Sequence, residues 1–189
     1  MAASSLVGCS LLLTACAGTL RASWPALSGW FGNPLSVSEQ GIGEINQQTD
    51  MTQSAIEKGL EGKYRLRSGM EMQNGKLVSV IQGMEDGQVK LEFHGLVKGK
   101  VNRIDVLDDG VKTVWGTKIG TPFSDLYNQA FGKCQRTQDV TVQPAVICTA
   151  PQSQHVSYVF TGTWDGPEGL IPSDDVLKGW KISRIVWKS

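Results

Sequence analysis

Residues 77–93 read LVSVIQGMEDGQVKLEF, and this stretch decides the fold class. Two runs rich in apolar and β-branched residues, 77–81 and 89–93, lie on either side of the turn formed by Glu85, Asp86 and Gly87. Short apolar runs separated by an Asp-Gly turn are typical of a β-hairpin. The stretch therefore predicts two adjacent antiparallel strands.

Similar short strands extend the pattern in both directions. Upstream, Tyr64 and Leu66 alternate with Arg65 and Arg67, which is the period of two that a strand requires. Downstream, a turn at residues 98–100 leads to a strand at 101–107. Consecutive strands joined by short turns imply antiparallel neighbours.

The C-terminal strands complete the predicted sheet. Residues 155–160 alternate as a strand, and residues 182–187 are apolar on both faces apart from Ser183 and Arg184, as in a central strand. With 22 Gly and 7 Pro, the composition also favours many turns between short strands. We predict a mainly β, antiparallel, sandwich-like single domain with one or two short helices.

The predicted helices are few. Thr49 or Thr52 can cap a short helix near Ile56, and Ser173 can cap one helical turn. The clearest helical pattern starts with Thr121 as N-cap and Pro122 at the first position, and it ends before Gly132. Its apolar stripe predicts a helix packed on the sheet, with these residues facing the core: Phe123, Leu126, Tyr127, Ala130 and Phe131.

The N-terminus has the pattern of a lipoprotein signal peptide. Leu11, Leu12 and Leu13 precede the small residues Thr14 and Ala15 and then Cys16. The apolar run is shorter than the roughly 20 residues that a membrane span needs. The pattern is therefore typical of a lipobox, in which the protein is cut just before a cysteine that receives lipid. We expect Cys16 to be the lipid attachment residue.

This interpretation divides the chain into a signal peptide at residues 1–15, a lipid-anchored tether at 16–37 and a β-rich domain at 38–189. The tether is poor in charge and contains several Pro and Gly residues. One alternative is a cut before Cys9, which would leave almost no apolar run upstream. Another is an apolar N-terminal helix packed into the core, which Gly8 and Gly18 disfavour. No Lys or Arg precedes Leu6, although a secretory leader is normally basic.

The balance of charged residues excludes one kind of partner. Lys plus Arg equals Asp plus Glu, at 18 each, so the sequence predicts no basic surface for nucleic acid.

Cys134 and Cys148 remain after cleavage and acylation, and in an oxidising compartment they are expected to form a disulfide. Two buried free thiols are the alternative. No His flanks either cysteine at ligand spacing, so no metal site and no cofactor are expected.

The residues of catalytic type do not form a recognisable motif. His94 and His155 both lie in predicted strands, away from any nucleophile motif or metal-ligand spacing. The paired acids fall at turns or helix caps, where Asp is favoured for structural reasons, and Glu168 lies in a Gly- and Pro-rich turn. We therefore expect no catalytic residues and no enzymatic activity. The paired acids are Asp108 with Asp109 and Asp174 with Asp175.

Several motifs resemble the RpoE-regulated lipoprotein family of enteric bacteria. They are YRLRSGM at 64–70, RIDVLD at 103–108, KIGTPFSDLY at 118–127 and GPEGLIPSDD at 166–175, ahead of a closing segment at 180–187. The resemblance covers nearly all of the mature chain. It implies an outer-membrane lipoprotein under envelope-stress control, with a mainly β, sandwich-like domain and no assigned activity. Ala17 after the acylated cysteine is compatible with outer-membrane sorting.

Three functions follow from these observations. The first is a non-enzymatic lipoprotein, facing the periplasm, that binds another envelope protein or lipid and supports the envelope under stress. The second is a small-ligand or lipid-binding module, and the third is a hydrolase built around His155. The ligand-binding alternative would use a groove lined by some of Trp115, Trp164, Trp180 and Trp187.

Overall fold

The computed structural model describes residues 34–73, 75–137, 143–167 and 169–189. An eight-stranded antiparallel sheet dominates this part of the chain. Its strands, in their order across the sheet, are β4 (Arg65–Gln73), β5 (Lys76–Glu85), β6 (Gln88–Leu96), β7 (Val101–Val106), β12 (Lys181–Lys188), β11 (Val156–Thr161), β10 (Ala145–Thr149) and β9 (Cys134–Arg136).

The hairpin predicted from residues 77–93 is confirmed as β5 and β6. Asp86 and Gly87 form a two-residue connection, with φ of 51° and 77°. Positive φ at both positions gives the turn a backbone twist that matches the twist of the flanking strands, and Asp-Gly tolerates it. The same meander continues from β4 to β7, so the prediction of antiparallel neighbours is confirmed.

The closing strand β12 is central, as predicted. It pairs with β7 on one side and with β11 on the other, so Ile185 lies opposite both Val106 and Tyr158. These three side chains are fully buried on the same face of the sheet. Burial of such large apolar side chains contributes roughly 1.5–3 kcal/mol each to folding, so this face is the main source of stability.

A smaller mixed sheet and a helix belong to the same core. The strands β1 (Ser36–Ser38), β2 (Gly41–Ile42), β3 (Ile45–Asn46) and β8 (Lys112–Thr113) lie in the order β3-β2-β1-β8, with β1 and β8 parallel. Val37, Ile42 and Ile45 of this sheet form one apolar cluster with Phe93 and Ile104 of the large sheet. The mainly β, two-layer architecture agrees with the predicted class, and Pro34–Ser189 form one compact unit.

The two short helices that the sequence predicts are present. Helix α1 (Gln53–Gly59) begins after Thr52, whose Oγ1 accepts a 3.3 Å hydrogen bond from the Ala55 amide. Helix α2 (Asp174–Leu177) follows Ser173. Ile56 is the buried residue of α1, and Leu177 is the buried residue of α2. None of the helices in the described part of the chain has the length and apolar character that a membrane span needs.

The long helix predicted from Thr121 is wrong beyond its first turn. A 3₁₀ helix covers only Phe123–Asp125, and the preceding Pro122 makes no side-chain cap. The amide of Ala130 donates to Asp174 Oδ1 at 2.7 Å, so it is not available for a helical bond to residue 126. Phe131, predicted to face the core, is 88% exposed. A tertiary hydrogen bond therefore replaces the local helical one, although Phe123, Tyr127 and Ala130 are buried as predicted.

Candidate functional site

An open cleft of about 880 Å³ lies at one end of the domain. Two loops supply most of its wall: one follows the 3₁₀ helix, and the other joins β10 to β11. The lining residues are Glu39, Leu126, Tyr127, Asn128, Gln129, Lys133, Thr149, Ala150, Pro151, Gln152, Ser153 and Gln154. A concave site of this size is in the range of ligand clefts.

The loop from β10 to β11 is shaped by Ser153. Its buried Oγ accepts hydrogen bonds from the amides of His155 at 3.1 Å and Val156 at 2.9 Å. The flanking side chains of Gln152 and Gln154 remain exposed at the cleft. Because the Ser153 hydroxyl already serves two backbone donors, its role is to hold this loop in place.

The opposite wall is held by Tyr127. Its hydroxyl donates to the Thr149 carbonyl at 2.7 Å, and its ring stacks on Phe123 with 5.1 Å between centroids. Burial, and to a lesser extent the neighbouring Tyr158, raise the pKa of Tyr127 well above its ordinary value. A phenol with a raised pKa stays protonated at neutral pH. Tyr127 therefore fixes the wall as a neutral hydrogen-bond donor and cannot act as a base.

Asn128 and Gln129 project from this wall as exposed side chains. They follow Tyr127 and precede Ala130, whose amide is bound by Asp174 of α2. The backbone that carries the two amide side chains is thus fixed at Tyr127 and at Ala130. Together with Gln152 and Gln154, they surround the cleft with groups that both donate and accept hydrogen bonds.

Charge at the cleft is limited to one residue of each sign among the described lining residues, Glu39 and Lys133. Glu39 Oε1 lies 3.9 Å from His155 Nε2, and His155 Nδ1 lies 2.7 Å from the Lys188 carbonyl. The Lys188 carbonyl is thus within hydrogen-bond distance of Nδ1, whereas the Glu39 carboxylate is too far from Nε2 for a hydrogen bond. Because Ser153 faces the backbone, the described residues around His155 do not assemble the nucleophile, base and acid that a hydrolase would need.

A second cluster of charged side chains lies on the face of the large sheet opposite the main core, and Asp105 is its centre. Arg103 holds the fully buried Asp105 carboxylate by two hydrogen bonds, Nε to Oδ2 at 2.7 Å and Nη2 to Oδ1 at 2.9 Å. Arg184 Nη1 lies 3.6 Å from Oδ1, and His94 Nε2 lies 3.1 Å from Oδ2. Two guanidinium groups therefore neutralise one buried carboxylate.

The other side of His94 faces the sheet edge. Its Nδ1 lies 3.3 Å from Glu71 Oε1, and the ring is buried. Burial by itself raises the pKa of Asp105, but the contacts with His94, Arg103 and Arg184 outweigh it and hold that pKa below its ordinary value. The cluster therefore keeps the buried Asp105 carboxylate in its charged form.

Glu92, His94 and Asp105 also bring three residues of metal-ligating type together, with ligand atoms within 4.8 Å of one another. The donor set does not favour a cation, because the Asp105 oxygens are already engaged by Arg103 and Arg184 carries a further positive charge beside them. Glu92 Oε1 accepts from Gln82 Nε2 at 2.6 Å. We assign this cluster as a buried ion-pair network.

This network is not among the features predicted from the sequence, although the sequence carries a signal for it. Glu92 and His94 alternate on β6, and Arg103 and Asp105 alternate on β7. Polar residues two apart on neighbouring strands lie on the same face of a sheet. The register pairs Glu92 with Asp105 and His94 with Arg103, so the four side chains meet.

The predicted disulfide is confirmed. Cys134 and Cys148 are bonded to each other and lie directly opposite on β9 and β10. Two of the four acids predicted to have structural roles do so: Asp108 Oδ1 accepts from the Gly110 amide at 2.8 Å, and Asp174 Oδ1 accepts from the Ala130 amide at 2.7 Å. Cys16 and Glu168 lie outside the described residues.

The tryptophan groove that the sequence suggests does not form. Trp180 and Trp187 are buried in the core, and Trp115 packs against it with its Nε1 donating to the Tyr158 hydroxyl at 2.6 Å. Trp164 also packs against the core. None of the four lines the cleft described above.

Comparison with known proteins agrees with this fold. The chain is 48% identical over 180 residues to the "Uncharacterized protein YfeY" of Escherichia coli (strain K12), covering 94% of this chain and 93% of the relative. A solved structure described as the crystal structure of the uncharacterized protein yfeY from Escherichia coli matches with a TM-score of 0.74 and 49% identity, over 82% of this chain and 99% of that one. The family model described as "Protein of unknown function (DUF1131)" matches residues 21–189. The chain therefore belongs to the DUF1131 family.

Proposed function

We propose that this protein is a lipid-anchored, non-enzymatic protein of the outer membrane whose domain faces the periplasm and binds another envelope component. The lipobox pattern ending at Cys16 supports the anchor and the location. The resemblance to RpoE-regulated lipoproteins supports a role in the response to envelope stress. The described cleft supports binding, because it offers hydrogen-bonding groups without an assembled acid, base and nucleophile.

The component that fits best is an uncharged polar polymer, and we propose the amino-sugar glycan of the cell wall. The observation that carries this proposal is the set of exposed amide side chains around the cleft, Asn128, Gln129, Gln152 and Gln154. A primary amide donates and accepts hydrogen bonds at once, as sugar hydroxyl and acetamido groups also do. Such a glycan is present in the periplasm, where the proposed anchor would hold the domain.

A lipid or other apolar ligand fits this cleft less well. Four of the exposed lining side chains are amides, whereas the apolar lining residues are the half-buried Leu126, the buried Ala150 and the exposed Pro151. Transfer of an apolar chain against amide groups would desolvate them without a hydrogen-bond partner, which costs free energy. The lipid-binding alternative is therefore the weaker proposal.

A titration with oligomers of N-acetylglucosamine tests the proposal. The probe is added to the mature chain carrying Cys16→Ser, so that no detergent is needed, and binding is followed by calorimetry. Gln152→Ala and Gln154→Ala are each expected to weaken binding by about fivefold, the effect of one lost hydrogen bond. Gln88→Ala, an exposed amide at the start of β6, is the matched control and should leave binding unchanged.

Two results would contradict the proposal. One is the absence of any heat of binding when the oligomers are added to the folded wild-type protein. The other is equal binding by wild type and by the Gln152→Ala, Gln154→Ala double variant, since a ligand held elsewhere would not sense these side chains.

A further inference from the structure

Strand β4 is the outermost strand of the large sheet in the described part of the chain. It runs for nine residues, Arg65–Gln73, and pairs with β5 over its whole length without a register shift. Every residue except Leu66 is exposed. A long, regular edge strand leaves backbone donors and acceptors on its outer side without a strand partner.

This edge is protected from pairing by the charges of Arg65, Arg67 and Glu71, but not by its length, a bulge or a proline. Natural edge strands are commonly short, bulged or interrupted by Pro, and β4 is none of these. The opposite edge of the same sheet shows the contrast, because β9 has only three residues and is covalently tied to its neighbour by the Cys134–Cys148 bond. The two edges are therefore built differently.

Gly69 lies at the centre of β4, and its own chain does not require a glycine there. Its φ is not in the positive range, and a Cβ built at this position would meet nothing within 4 Å. Position 69 therefore has room for a side chain, and pairing with a second strand at the usual spacing of about 4.8 Å does not depend on the glycine.

We propose that β4 pairs antiparallel with β4 of a second copy of this chain, joining two large sheets edge to edge. Full overlap places the two-fold axis at Gly69. Arg67 of each copy then lies opposite Glu71 of the other, which gives two pairs of opposite charge. Leu66 lies opposite Met72 in the same way, which gives two apolar pairs.

The side chains already point in the directions that this pairing needs. Arg67 donates to Gln82 Oε1 from Nε at 3.0 Å, and Glu71 lies beside His94, so both project from the face that carries the ion-pair network. Met70 and Met72 project from the other face and are 65% and 68% exposed. Directly opposite residues of antiparallel strands share a face and stabilise the pair by roughly 0.2–1 kcal/mol each.

A cysteine at the symmetry axis tests the pairing directly. Gly69→Cys in the full-length chain, expressed in its bacterial envelope, should yield a disulfide-linked homodimer on a non-reducing gel. Space around position 69 is open, so the substitution is compatible with the fold. Gln88→Cys, exposed on the same sheet, is the control and should remain monomeric. Equal crosslinking at the two positions, or crosslinking of Gly69→Cys to a different protein, would overturn the proposal.

Charge exchange supplies a second test that a folding defect cannot imitate. Arg67→Glu and Glu71→Arg each turn two attractive pairs into two repulsive ones and should raise the dimer dissociation constant about tenfold. The double variant restores opposite charges and should return the constant to the wild-type value. The measurement is sedimentation equilibrium of the full chain in detergent. A wild type that stays monomeric, or a double variant as weak as the single ones, would refute β4 pairing.

Discussion

The Tyr64 hydroxyl donates a 2.5 Å hydrogen bond to Oδ2 of the buried Asp108. The two residues are 44 positions apart and lie just before β4 and just after β7. The bond therefore fixes both ends of the four-stranded meander relative to each other. Burial, and then the hydrogen bond to Asp108, raise the pKa of Tyr64 far above its ordinary value, so the phenol stays a donor at any physiological pH.

Tyr64→Phe removes this donor and leaves Asp108 Oδ2 without it. We expect the free energy of unfolding to fall by about 1.5–3 kcal/mol, the range for hydrogen bonds to charged groups. Urea unfolding at neutral pH measures the change. In a double-mutant cycle with Asp108→Ala, which removes the acceptor, the losses should be strongly non-additive, and simple additivity would show that the bond contributes nothing to stability.

Asp105→Asn should be strongly destabilising. It leaves the guanidinium groups of Arg103 and Arg184 beside a neutral side chain in a buried position, and removal of one partner from a buried ion pair costs about 3–5 kcal/mol. Asp86→Asn, in the exposed hairpin turn, is the control and should change stability by less than about 0.5 kcal/mol. A loss below about 1 kcal/mol for Asp105→Asn would contradict the assigned network.

Acid should destabilise the wild type, partly because the Asp105 carboxylate becomes protonated. The folded pKa of Asp105 lies below its ordinary value of 3.8, so its contribution to stability is complete above that pH and is lost as pH falls through the folded pKa. Unfolding measured from neutral pH to below pH 4 should therefore show a steeper loss for wild type than for Asp105→Asn. Parallel curves would mean that Asp105 binds protons equally in the folded and unfolded states.

The Cys134–Cys148 bond should stabilise the short edge strand β9. The two residues are separated by 14 positions, and a loop of this length corresponds to about 3 kcal/mol in the chain-entropy account. Chemical denaturation with and without reductant should show a loss of that order, and the Cys134→Ala, Cys148→Ala variant should match the reduced protein. Intact mass after alkylation checks the bond itself, since two freely alkylated thiols in oxidised protein would disprove it.

Replacement of Cys16 tests the proposed anchor. Cys16→Ser should abolish lipid labelling and move the protein from the membrane fraction to the soluble periplasmic fraction, because the acyl chains supply membrane affinity. Cys9→Ser, upstream in the proposed leader, is the matched control and should leave both properties intact. Lipid labelling that persists in Cys16→Ser would place the modification on another residue.

Much of the fold was predictable because its signals are local. The Asp86-Gly87 turn and the alternation on either side specify a hairpin within 17 residues, and Thr52 specifies the start of α1 by its own side chain. The wrong helix after Thr121 had equally good local signals. It ends early because the Ala130 amide is bound by Asp174, 44 residues away, and this partner leaves no trace in the local pattern.

The candidate sites were harder to predict for the same reason. The Asp105 network depends on the strand register that brings β6, β7 and β12 side by side. The cleft depends on two loops that have no common motif in the sequence. Tryptophan side chains are common in ligand-binding grooves, yet large aromatic side chains such as Trp187 contribute most when they are buried in the core.

Site-specific photocrosslinking in intact cells tests the proposed function most directly. A photoreactive amino acid is introduced at Gln152, in the cleft, or at Gln88, on the sheet, in the full lipidated chain. We predict a high-mass product from position 152 alone, which a muramidase that cuts the cell-wall glycan converts to a discrete band. Products from position 152 that resist the muramidase, or equal products from position 88, would contradict the proposal that the cleft binds this glycan.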